Sequence, residues 1–159
     1  MVITFPDRAT LDMGDIDFSS IGACGQFTSY PNTNDGEVFE RCRDSGIIIA
    51  NKVKMNRTVI ESLPKLRMIS VIATGYNNVD LEYAGEKGIR VCNVPGYAVH
   101  TVPQHTFTLI LNLATKVCRY NADVAAGEWQ NASSFTLLKY RTFELYGKTQ
   151  SGGFTQTQT

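Results

Sequence analysis

Three short stretches of the chain carry residue types suited to recognising a small anion: Asn51-Lys52, Thr74-Gly75-Tyr76-Asn77-Asn78 and Pro95-Gly96-Tyr97. Each follows an apolar run, "GIIIA", "MISVIA" and "IRVCNV" in turn. A lysine beside a strand end supplies a positive charge, and a glycine in a turn lets successive backbone N–H groups converge. Where the turn opens a helix, the amides at its N-terminus add to the attraction for a carboxylate. Either Asn77 or Asn78 can cap the helix that follows. The same residue types also serve ordinary strand-to-helix turns, where Gly and Asn are common for conformational reasons alone. His100 and His105 are five apart, the wrong spacing for a metal pair on one helical face, and are expected to cap or pack. No residue is assigned a catalytic role, and no metal site is expected.

The elements that must position these residues alternate. Residues 2–5 "VITF", 25–30 "GQFTSY", 46–50 "GIIIA", 66–73 "LRMISVIA" and 89–94 "IRVCNV" each suit a strand. The third and fourth are apolar on both faces, as strands of a helix-covered parallel sheet must be. Between them, "GEVFERCRD" sets Val38, Phe39 and Cys42 on one helical face, "NRTVIESLP" is a short helix stopped by Pro64, and "NVDLEYAGEKG" is closed by Gly88. Strands alternating with helices predict βαβ units in a doubly wound α/β sheet.

The pattern changes at Thr101. "TVPQ" reads as a capping box between Thr101 and Gln104, with Pro103 in the first turn, where its missing N–H costs nothing. One long helix is expected through "HTFTLILNLATKVCRYNADVAAGEW", apolar around much of its circumference and therefore in need of cover. The segment "QNASSFTLLKYRTFELYGKT" has too little regular apolar content to supply it, so a further segment or a partner subunit is implied.

Composition removes several classes. Of 159 residues, 43% are hydrophobic and 19% charged, which excludes disorder throughout. Fifteen basic residues balance fifteen acidic ones, which gives no broad pull toward nucleic acid or an anionic membrane, so neither is expected as a partner. The longest apolar stretch, "FTLILNL", is far short of the ~20 residues of a membrane helix. Cys24, Cys42, Cys92 and Cys118 form no C-x-x-C pair and are read as reduced, mostly buried thiols of a cytoplasmic protein.

"NKVK", "LPKLRMISVIATGYNNVD", "GEKGIRVCNVPGYAVHTVPQHTFTLIL" and "ELYGKT" occur in this order. With them the chain resembles the D-isomer-specific 2-hydroxyacid dehydrogenases, in the branch of glycerate dehydrogenase and hydroxypyruvate reductase. The resemblance runs from about the first strand to Thr149, with Pro103 standing where that family usually carries Ala. It implies a five-stranded flavodoxin-like parallel sheet with helices on both faces over residues 1–100, forming a substrate domain. Residues 101–149 then begin the nucleotide-binding domain with a helix that joins two subunits, so a homo-oligomer is implied. By position, Thr74, Gly75 and Tyr76 match the family's carboxylate-binding loop, Asn51 and Lys52 match its active-site loop, and Thr74 also matches a residue near the nicotinamide end of NAD. The substrate class implied is a small 2-keto or 2-hydroxy acid of hydroxypyruvate or glyoxylate type, reduced with NAD(P)H.

In that family "GKT" leads into the first Rossmann strand and a G-x-G-x-x-G loop. Here it leads into "QSGGFTQTQT", expected to be a disordered tail over 150–159, where Ser151-Gly152-Gly153 lacks the three-glycine spacing. The family's catalytic His, its Glu partner and its Arg lie further along, and neither His100 nor His105 takes that role. The expectation is an interrupted dehydrogenase, inert alone, with NAD(P) not held tightly. The alternative is a non-catalytic carboxylate-binding or dimerisation module. An FMN-binding reading would need phosphate-binding density after the first strand, and "FPDRATLDMGD" offers only Thr10 and Gly14 among acidic residues.

Overall fold

The computed structural model of the chain describes residues 1–149, so the expected tail over 150–159 and the Ser151-Gly152-Gly153 reading lie outside the described residues. The chain divides into two compact units, Met1–Tyr97 and Ala98–Thr159.

In the first unit five strands form one sheet: β1 (Val2–Phe5), β2 (Gln26–Ser29), β3 (Ile47–Ala50), β4 (Met68–Val71) and β5 (Arg90–Cys92). Their order is β2-β1-β3-β4-β5 and every pairing is parallel. The central register sets Ile3 beside Ile47, Ile48 beside Ile69, and Ile69 beside Val91. Because successive side chains alternate faces, β3 feeds two cores at once. Ile48 and Ala50 join a large cluster with Val38, Met55, Ile60, Ile69 and Tyr83, whereas Ile49 joins Ile3 and Phe5 on the other face. The first face is covered by α2 (Val38–Cys42), α3 (Arg57–Ser62) and α4 (Leu81–Glu86). On the second face Phe18 and Ile21, at the start of and within α1 (Ser19–Gly22), pack on Phe5 and Phe27.

The caps show why these helices begin and end where they do. Asn56 accepts from the Val59 amide at 3.0 Å, and Asp80 accepts from the Tyr83 amide at 3.0 Å. The cap of α4 is thus Asp80, not Asn77 or Asn78, because the chain runs on for two residues before turning helical. Gly88 follows α4 at φ +67°, a left-handed position that favours glycine. Phe39 departs from the expected buried face: Val38 and Cys42, four apart, point inward, and Phe39, a residue round from Val38, is 45% exposed.

The thiols also differ from expectation. Only Cys42 is buried, while Cys24, Cys92 and Cys118 are exposed, because strand ends and helix surfaces place them outside both clusters. Burial pushes the Cys42 thiol up to about 11, so it stays protonated at neutral pH. Alkylation of the folded chain with iodoacetamide at pH 8 is expected to modify Cys24, Cys92 and Cys118 and to reach Cys42 only after unfolding, as mass spectrometry would report. Prompt labelling of Cys42 in the folded chain would contradict the packing.

The second unit begins with α5 (Thr101–Thr115) and α6 (Val117–Ala125). The single long helix expected from sequence is therefore two. Lys116 between them is left-handed, φ 59°, a conformation costing a non-glycine residue roughly 1–2 kcal/mol. Asn112 makes the break: its carbonyl accepts from Lys116 N at 2.8 Å and its side-chain oxygen from Cys118 N at 3.2 Å, so it closes one helix and caps the next. The expected Thr101–Gln104 capping box is absent as well. The helix starts one residue early, Gln104 N donates to His100 O at 3.2 Å, and the Thr101 hydroxyl is left with Ala98 O at 3.5 Å. His100 and His105 are both exposed and neither side chain caps or packs. Further along, Tyr140 packs edge-on against Tyr120 at 5.0 Å, and Phe143 N donates to Ala114 O at 3.2 Å. Among the described residues no helix is long and apolar enough to cross a membrane.

Candidate functional site

At the carboxyl ends of β3 and β4, where open α/β sheets bind ligands, lies a cleft of about 620 Å3. Asn51, Lys52, Lys54, Gly75, Asn77 and Asn78 are among its lining residues. Two loops form it. The loop after β3 is tied to the start of α4 by a parallel bridge, with Met55 N on Asn78 O at 2.7 Å and Asp80 N on Met55 O at 3.0 Å. The loop after β4 is tied to the segment after β5: the Thr74 hydroxyl donates to Val94 O at 3.1 Å, and Asn93 Nδ2 donates to Thr74 O at 2.8 Å.

Of the residues singled out from sequence, Asn51, Lys52 and Gly75 meet at this cleft, while Thr74 and Tyr76 are not among its lining residues. The Thr74 side chain is turned toward the end of β5, and Tyr76 packs beside Ala73 against the large core cluster. Pro95-Gly96-Tyr97 does not line the cleft either. The Asn51 side chain donates to the Thr10 hydroxyl at 2.8 Å, so part of its hydrogen-bonding capacity holds structure. Lys52 is exposed and its ammonium has no acceptor among the described residues, whereas Lys54 reaches Asp35 at 3.8 Å. The backbone amides of Thr74 and Gly75 donate to no described residue. Lys52 and the Gly75 amide therefore stand at one cleft with their donor capacity unspent.

Sequence reasoning missed Asp7 here, and it named Asn78 only as a loop or capping residue, although Asn78 and Asn77 both line the cleft. Asp7, 3% exposed, accepts from the amides of Asn51, Lys52 and Val53 (2.9 Å for the last), and Asn78 Nδ2 donates to Val53 O at 3.0 Å. Nothing in the local sequence of either signals this, since each partner belongs to another loop.

The turn at Gly75 also differs from expectation. Gly75 has no left-handed φ, and a Cβ there would meet only Asn77 Oδ1 at 3.5 Å, an ordinary contact. Gly75→Ala is accordingly expected to change unfolding free energy by less than about 1 kcal/mol in either direction. If a ligand approaches the Gly75 amide closely, the same substitution weakens its binding, and a denaturation curve paired with a titration separates the two effects.

The profile of the D-isomer specific 2-hydroxyacid dehydrogenase catalytic domain matches residues 12–157. The chain is 36% identical over 151 residues to a hydroxypyruvate reductase of Blautia hydrogenotrophica, covering 93% of this chain and 47% of that protein. It is 32% identical over 148 residues to a glycerate dehydrogenase of Methylorubrum extorquens, covering 92% and 46%. The chain thus spans about half the length of the curated relatives it matches. A D-lactate dehydrogenase of Aquifex aeolicus, solved with NAD and lactic acid, superposes with a TM-score of 0.61 at 21% identity, over 86% of this chain and 40% of the other, a likeness of fold. The parallel five-stranded order, the strand-end cleft and the profile match over most of the sequence agree: the chain belongs to the D-isomer specific 2-hydroxyacid dehydrogenase family.

Proposed function

We propose that the cleft receives the carboxylate of a small 2-keto or 2-hydroxy acid of hydroxypyruvate or glyoxylate type. The chain then provides the acid-binding side of a hydride transfer whose NAD(P) carrier is held by a separate dinucleotide fold, for which the roughly twofold length of the relatives leaves room. The observation that carries this reading is the unpartnered Lys52 ammonium and Gly75 amide at one cleft on the strand ends. An ammonium and an oriented amide are the donors an anion needs, and charge-assisted bonds of this kind are roughly twice as strong as neutral ones. The activities named for the relatives support the acid class. The lining residues include no histidine or arginine, so the cleft's own side chains offer no general acid of those types. Loss of general acid–base catalysis alone is worth ~100- to 10,000-fold in rate.

A titration of the 159-residue chain with hydroxypyruvate tests the reading by NMR. Saturable shifts at the Thr74 and Gly75 amides and at the Lys52 side chain are expected, with NADH oxidation no faster than background. Shifts scattered over the surface would remove the acid site, and steady NADH turnover by the isolated chain would remove the claim of dependence on another domain.

A second reading, self-association, is favoured by a specific observation. In the second unit Phe107, Leu113, Phe135, Leu138 and Tyr146 are 57%, 60%, 87%, 88% and 93% exposed, more apolar surface than an isolated unit ordinarily leaves open. Sedimentation at micromolar concentration is expected to show a dimer or larger species, and a monodisperse monomer would exclude it.

A further inference from the structure

Asp7 follows β1, and its side chain crosses to the loop after β3. Its carboxylate accepts from Asn51 N at 3.1 and 3.2 Å, from Lys52 N, and from Val53 N at 2.9 Å. Three successive amides converging on one point form a nest, a concavity suited to an anion. At a strand end of a parallel sheet such a nest is where a ligand anion would settle. Here the chain fills it with its own carboxylate.

The rest of the loop is held from the other side. Asn78 Nδ2 donates to Val53 O at 3.0 Å and to Asn51 O at 3.4 Å. Asn51 Nδ2 donates to Thr10 Oγ1 at 2.8 Å, and that hydroxyl donates to Asp7 O at 2.7 Å. The amides of Asn51, Lys52 and Val53 are committed to Asp7 and two of the loop's carbonyls to Asn78, while the Lys52 ammonium, at the middle of the clamped tripeptide, has no acceptor among the described residues.

We propose that Asp7 is a positioning residue of the acid cleft, acting as a built-in anion. Its carboxylate fixes the loop so that Lys52 lines the cleft, and it keeps a ligand carboxylate off the amides of 51–53, leaving the loop at Gly75, beside Thr74, as the place where the acid binds. This rests on the acid-binding reading above for the identity of the ligand. A purely structural Asp7 would hold the loop but would have no say in where a ligand acid goes.

Asp7→Gly removes the side chain and opens the nest, and acetate is close to the size of the lost group. In Asp7→Gly, millimolar acetate is expected to bind saturably, with shifts at the amides of Asn51, Lys52 and Val53 and a rise in Tm. The parent chain at the same ionic strength should show neither. Without acetate, hydroxypyruvate should shift the 51–53 amides of Asp7→Gly, and saturating acetate should return those shifts to Thr74 and Gly75. Acetate that leaves the 51–53 amides of folded Asp7→Gly unmoved would overturn the proposal. Should Asp7→Gly fail to fold even with acetate, Asp7→Asn decides. It keeps the shape but turns a neutral amide on the nest, and roughly tenfold weaker hydroxypyruvate binding is expected from the lost charge-assisted bonds. Unchanged affinity in Asp7→Asn would overturn the proposal. A parent chain that binds no keto acid at Thr74–Gly75 would sink the acid reading, while the acetate experiment would still report on whether the nest takes an anion.

Discussion

Lys52→Ala is expected to weaken hydroxypyruvate binding by about 10- to 100-fold while leaving the denaturation midpoint where it was. The size follows from a hydrogen bond to a charged group, ~1.5–3 kcal/mol, in a setting where no other ammonium or guanidinium is as free. Lys54 also lines the cleft, but it sits 3.8 Å from Asp35, with both side chains well exposed, so the pair is weak and competes only modestly for that lysine. The stability half of the expectation follows from exposure: Lys52 contributes its backbone amide, not its side chain, to the Asp7 clamp. Lys52→Gln should behave like Lys52→Ala, since it removes the charge and keeps length, whereas Lys52→Arg should retain much of the affinity. Isothermal titration beside urea unfolding measures both halves. Equal affinity in Lys52→Ala and parent would detach this lysine from the site.

Ile48→Ala is the second large effect, on stability this time. Ile48 is fully buried, paired in register with Ile69 and surrounded by α2, α3 and α4 side chains of the large cluster. Truncation removes most of a side chain from a site lined by close-packed side chains held on strands and helices, so a loss of ~2–5 kcal/mol is expected. Against a total domain stability of about 5–15 kcal/mol, that is enough to populate unfolded chain under mild conditions. Phe39→Ala is the matched control. Phe39 is 45% exposed, and its truncation should cost far less even though phenylalanine is the larger side chain. Similar losses for the two would mean that the burial assigned to β3 and α2 is wrong. Urea midpoints with unchanged m-values are the measurement, because an altered m would signal a change in the unfolded or native surface instead.

Much of the first unit is legible in sequence because parallel strands advertise themselves. "GIIIA" and "MISVIA" are apolar on both faces, and only a strand covered on both sides tolerates that. The second unit is less legible. Asn112 sits inside an apolar run, and nothing about its neighbours says that its carbonyl and side chain will end one helix and start another. Lys116 then adopts a conformation for which sequence usually supplies glycine. Thr101-Val102-Pro103-Gln104 misled in the opposite way: the residue types of a capping box are present, but a helix started by the preceding turn has already used the Gln104 amide.

The site divides along the same line. Residue types alone determined that a lysine and a glycine-bearing turn stand after the third and fourth strands, since Lys52 and Gly75 are read from their own neighbours. They also determined the family, through motifs that run along most of the chain. Tertiary structure decided which of those groups remain available. Asp7 lies 44 to 46 residues before the amides it holds, and the contact exists only because β1 is laid directly beside β3. Strand identity is a local property of side chains, whereas strand order emerges when the whole sheet closes its two cores. The carboxylate that occupies the loop's amides is a consequence of that order.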